Sequence, residues 1–108
     1  MKLQLTPHML RLRLAEEELQ TFAQAGQLSQ VLHLGSHSFG YALRQLPPEA
    51  SASGLAVRHE AGQLVVEVPA ALARQLIDGN TVSLKGEVIG TDEQRIRIVV
   101  EKDLGPSH

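Results

Sequence analysis

Two stretches of the chain share one rhythm of apolar and polar positions. In the first, Leu10, Leu12 and Leu14 alternate with Arg11 and Arg13, the period of two that a half-buried strand requires. The spacing then turns helical, with Leu19, Phe22 and Ala23 at i, i+3 and i+4, which makes one helix face apolar. Glu16, Glu17 and Glu18 fill the first turn of that helix, where its dipole favours anions. Gly26 predicts its stop. Leu28, Leu32 and Leu34 then resume alternation.

The plan returns 54 positions later (64 − 10) in Leu64, Val66 and Val68, with Val65 and Glu67 on the other face. Pro69 opens the second helix, where its missing N–H is harmless. Leu72, Ala73, Leu76 and Ile77 form the stripe, and Asp78-Gly79-Asn80 ends it. Val82, Leu84 and Val88 predict the next strand, with Thr81, Ser83, Lys85 and Glu87 facing away. Leu3 matches Val57 in a leading strand of each half, and "TPH" and "EAG" turn each into the next. The closing strands are expected at 39–45 and 95–101, with the second hairpin longer than the first.

Each half therefore reads strand–strand–helix–strand–strand. The expected architecture is a single α+β, mainly β domain of two such units, 1–46 and 55–101. A proline-rich linker at 47–54 and a tail at 102–108 complete it. Neither unit can bury both its faces alone, so the two should close on one barrel-like core.

Composition narrows function more than it defines it. The 108 residues are 43% apolar and 20% charged, with no cysteine and a net charge of −2, an ordinary soluble profile. Disulfides, thiolate metal sites and cysteine catalysis are excluded. Phe22, Phe39 and Tyr41 are the aromatics, too few to stack the bases of a single strand. Lys2, Arg11 and Arg13 interrupt the N-terminal apolar runs, so no signal peptide or membrane helix is expected there. A cytoplasmic protein that does not enter membranes is the expectation.

"VLHLGSHSFGY", Val31 to Tyr41, concentrates histidine, serine and glycine. Aligned on the second half, His33 falls at Glu87 and His37 at Thr91, in a plain polar turn, so a hairpin bend is expected. His33 and His37 have no third ligand nearby, and His8 and His59 could join them only through folding, so no metal site is expected. Ser36 or Ser38 beside His37 lacks an orienting carboxylate. His59 falls on the core-facing register, at the place of Leu5, and reads as a neutral histidine bonded to backbone. No converging carboxylates and no phosphate-cradling glycine motif appear, so no catalytic residue, cofactor or enzyme is expected.

Lys2 and Arg58 lie in leading strands, Arg95 and Arg97 on the outward register of the last, and Arg74 on a helix. Arg11 and Arg13 point the same way from one strand and could bridge neighbouring phosphates; a solvated strand face is the plainer alternative.

Val57 to Leu84 resembles the SpoVT/AbrB and MazE antitoxin family through Gly62, Val66, Val68, Pro69, Leu72, Leu76, Ile77 and Val82. The first half resembles it less, with Ala15 in place of the proline. The resemblance implies a swapped-hairpin β-barrel, supplied here by one chain as in tandem MraZ proteins. It also implies double-stranded DNA held by Lys2, Arg11, Arg13 and Arg58. Val65 and Glu67 at the places of Arg11 and Arg13 would half neutralise a two-fold DNA surface. End to end, "MKLQL", "RLRL", "FGYAL" and "VVEKD" resemble a group of small bacterial proteins of unknown function.

The sequence thus points to a non-enzymatic binding module, monomer or homodimer, of DNA-regulator type. A protein-interaction module with an unnamed partner is the alternative.

Overall fold

A computed structural model describes residues 1–104; the last part of the expected tail, 105–108, lies outside the described residues. The elements are β1 (Lys2–Thr6), β2 (Met9–Leu14), α1 (Glu16–Ala25), β3 (Gln27–Leu34) and β4 (His37–Gln45), then β5 (Ala56–Glu60), β6 (Gln63–Val68), α2 (Ala70–Asp78), β7 (Ser83–Ile89) and β8 (Arg95–Lys102). A 3-10 turn, Thr91–Glu93, separates the last two strands.

The strands form two four-stranded sheets, ordered β1-β2-β8-β7 (sheet I) and β3-β4-β6-β5 (sheet II). Each half gives its first hairpin to one sheet and its second hairpin to the other. The halves meet at the centre of each sheet, where β2 runs parallel to β8 and β4 parallel to β6. The expected barrel does not close: among the described residues, β1, β7, β3 and β5 end their sheets. The fold is α+β and mainly β.

One core unites the sheets. Leu10, Leu12 and Leu14 from β2, Val66 and Val68 from β6, Leu43 from β4, and Ile98 and Val100 from β8 pack in it together. Leu19 and Phe22 of α1 and Ala73 and Leu76 of α2 complete it, as the helical spacing predicts. Full burial of one such side chain contributes roughly 1.5–3 kcal/mol.

The helix starts solve one problem in two ways. Ala15, the N-cap of α1, has a backbone N–H, which donates to Glu18 Oε1 at 2.9 Å. The other oxygen of Glu18 pairs with the Met1 ammonium. Fifty-four residues on, the N-cap of α2 is Pro69, which has no N–H to satisfy, and Leu72 stands where Glu18 was. Gly26, with φ 74°, ends α1 in the left-handed conformation, the usual glycine stop.

The halves correspond with a larger offset than the alternation suggests. Leu12 lies beside Val100 and Val66 beside Leu43, so β4 maps onto β8 by 57 positions (100 − 43), not the 56 of the expected bounds (95 − 39). Leu28 pairs with Leu43 and Leu84 with Val100, so β3 maps onto β7 by 56 (84 − 28), not 54. The connection after α2 supplies the two extra residues. Val82 lies in it, exposed and outside β7. His33 therefore corresponds to Ile89 and His37 to Gln94. Among the described residues, no helix is long and apolar enough to cross a membrane.

Candidate functional site

Because side chains alternate across a strand, cross-strand pairs share a face. The rows on the outer face of sheet I are therefore set by its register. One row reads Lys2, Arg13, Glu101, Ser83; the next reads Gln4, Arg11, Val99, Lys85; a third reads Thr6, Met9, Arg97, Glu87. Arg95 follows opposite Ile89. Of the ten lysines and arginines in the chain, six point from this face: Lys2, Arg11, Arg13, Lys85, Arg95 and Arg97. Glu87 and Glu101 are the carboxylates of the same rows. The corresponding face of sheet II carries Arg44 and Arg58 against Glu60 and Glu67, an even balance.

The face is not flat. β2, β8 and β7 bound a half-open groove of about 630 Å³, lined by Arg11, Ser83, Lys85, Arg97, Val99 and Glu101 among others. Arg13 Nε donates to Glu101 Oε1 at 3.1 Å. Arg11 Nε lies 3.0 Å from the same oxygen but forms no aligned hydrogen bond, and it is shut off from solvent. Ser83 Oγ, also in the groove, is buried without a partner. One carboxylate thus serves two guanidiniums, which leaves positive charge in excess. Arg95 pairs with Glu87 at 3.2 Å and Lys2 with Asp103 at 3.7 Å. Lys85 and Arg97 have no carboxylate partner among the described residues.

Of the four basic residues singled out from sequence, Lys2, Arg11 and Arg13 share this face. Arg58 does not. It belongs to sheet II, where its Nε donates to Glu67 Oε1 at 2.8 Å, and that contact raises the guanidinium above its ordinary range. Glu67 is nearly buried and also meets Arg44 at 3.6 Å. Lys85 and Arg97, absent from the sequence-derived set, join through strand pairing; the outward register of both was the available signal.

The histidines take plain positions. Gly35, at φ 66°, and Ser36 form the two-residue turn between β3 and β4, in which a first residue with positive φ matches the twist of a hairpin. Ser36 Oγ lies 2.9 Å from His37 Nδ1 on the exposed tip. His59 is exposed beside Leu64, not in the core. Leu5, its counterpart, is exposed too. Among the described residues, no three His, Asp or Glu side chains cluster to hold a metal ion.

Fold and surface together define a small, mainly β domain with one cationic sheet face. Residues 1–105 match the DUF7009 family of unknown function, and the chain belongs to that family. No curated protein and no solved structure matches it.

Proposed function

We propose that the chain is a non-enzymatic regulator that binds duplex DNA, with phosphates lying along the outer face of sheet I. The observation that carries this reading is the gathering of Lys2, Arg11, Arg13, Lys85, Arg95 and Arg97 on one face of a protein whose net charge is −2. Such asymmetry draws in a polyanion that the whole-molecule charge would not. Lys85 and Arg97, which line the groove and have no carboxylate partner among the described residues, are the cations open to phosphate oxygens. The exchange of hairpins between halves supports the likeness to AbrB and MraZ proteins, opened here into two sheets. Arg58, tied to Glu67 in sheet II, has no part in the contact.

Salt dependence tests the proposal. Fluorescence anisotropy on a mixed-sequence duplex should show affinity falling steeply between about 50 and 200 mM salt. Lys85→Ala with Arg97→Ala, and separately Arg11→Ala with Arg13→Ala, should each reduce the log–log slope by about two, while Arg58→Ala leaves it unchanged. Absence of binding at the low-salt end, or a slope indifferent to both double variants, overturns the reading. The alternative, a protein-interaction module, draws support from a different place, the apolar edge strand β3.

A further inference from the structure

Four strands end the two sheets, and three of them carry charge. β1 has Lys2, β5 has Arg58 and Glu60, and β7 has Lys85 and Glu87. Charges of this kind keep an open row of backbone N–H and C=O groups from pairing with other strands. β3 is the exception. Its eight residues, QLSQVLHL, contain no lysine, arginine, aspartate, glutamate or proline. Val31, Leu32 and Leu34 are 53%, 46% and 58% exposed, three large apolar side chains within four residues of an unpaired edge. It is also among the longest strands in the fold, with an edge of about 27 Å at ~3.4 Å per residue.

We propose that β3 pairs antiparallel with β3 of a second copy of the chain, about a two-fold axis at Val31. The occupant follows from the strand's own sequence. In that register Val31 faces Val31 of the second copy, and Leu28 faces Leu34 of the second copy on both sides of the axis. His33 falls opposite Ser29 of the second copy, so no charge meets a like charge. Two four-stranded sheets become one of eight strands, and the cationic face of sheet I in each copy stays uncovered. One strand edge offers less than the ~800 Å² per partner of a standard interface, so the dimer is weak and concentration-dependent. This inference stands apart from the DNA reading, since it uses no basic residue.

Sedimentation equilibrium of the whole chain should show a monomer–dimer equilibrium. Val31→Lys, which sets two cations face to face, should raise the dissociation constant roughly tenfold or more. Its circular dichroism should match the wild type, because Val31 is half exposed. The chain has no cysteine, so Val31→Cys introduces a single thiol, which the two-fold places opposite itself. Under mild oxidant it should cross-link faster than Ile89→Cys, a more exposed residue (66%) at the edge of sheet I. A wild type that stays monomeric to ~1 mM overturns the proposal. So does association indifferent to Val31→Lys, or cross-linking at residue 31 no faster than at residue 89.

Discussion

Arg13 lies directly across from Glu101 on the parallel strands β2 and β8, and the equivalent pair in the other sheet has its charges reversed. Position 67 (13 + 54) holds glutamate, position 44 (101 − 57) holds arginine, and the two are register partners on β6 and β4. The positions keep a salt bridge; which strand carries which sign is free. Position 65, where Arg11 would recur, is a fully buried valine. Copying these three positions of sheet II onto sheet I takes Arg11→Val, Arg13→Glu and Glu101→Arg. The triple variant should unfold in urea within ~1 kcal/mol of wild type. Arg11→Val with Arg13→Glu alone should lose about 1–2 kcal/mol, since a carboxylate then faces Glu101.

Ala61 adopts φ 52° and Gly62 φ 73° in the turn between β5 and β6. A two-residue hairpin with positive φ at both positions favours Asn-Gly, because a Cβ strains the left-handed conformation and asparagine relieves it by local hydrogen bonding. Ala61→Asn should stabilise the fold by roughly 0.5–1 kcal/mol, read as a higher urea midpoint at unchanged slope. A drop in midpoint would mean that this turn differs from the one described.

Gly86 in β7 lies against Leu55, the buried residue that leads into β5. A Cβ added at 86 would stand 2.9 Å from Leu55 Cβ. Gly86→Ala should therefore destabilise by about 1–3 kcal/mol through overpacking. Trimming Leu55→Ala in the same chain should recover part of that loss, so a double-mutant cycle should be clearly non-additive.

Alternation and helical spacing made the elements legible. Leu10, Leu12 and Leu14, or Leu72, Ala73 and Leu76, declare their structure without help from the rest of the chain. Register between the halves was not legible, and the reason is physical. A strand repeats its faces every two residues, so the mistaken offset of 54 between β3 and β7, short by two, keeps every side chain of that strand on its proper side. Only the neighbours across the sheet, Val100 beside Leu12 and Leu43 beside Val66, reveal the slip. Alternation also says which face a residue takes but not how far the core reaches. Leu32, Leu34 and His59 have the inward parity yet are exposed. The cationic face was half visible: Arg11 and Arg13 announce themselves on one strand, but nothing local says that β8 and β7 bring Arg97 and Lys85 alongside.

The crossing of hairpins between sheets means that the polypeptide is held together by more than its own backbone. Proteolytic nicking in the exposed stretch around Ser51–Ser53 would break the covalent link, yet each fragment would still supply half the strands of both sheets. The two pieces should co-elute on size exclusion under native conditions and separate only in denaturant. Mixed afresh after separate purification, they should regain the circular dichroism of the intact chain, with a stability that now depends on their concentration.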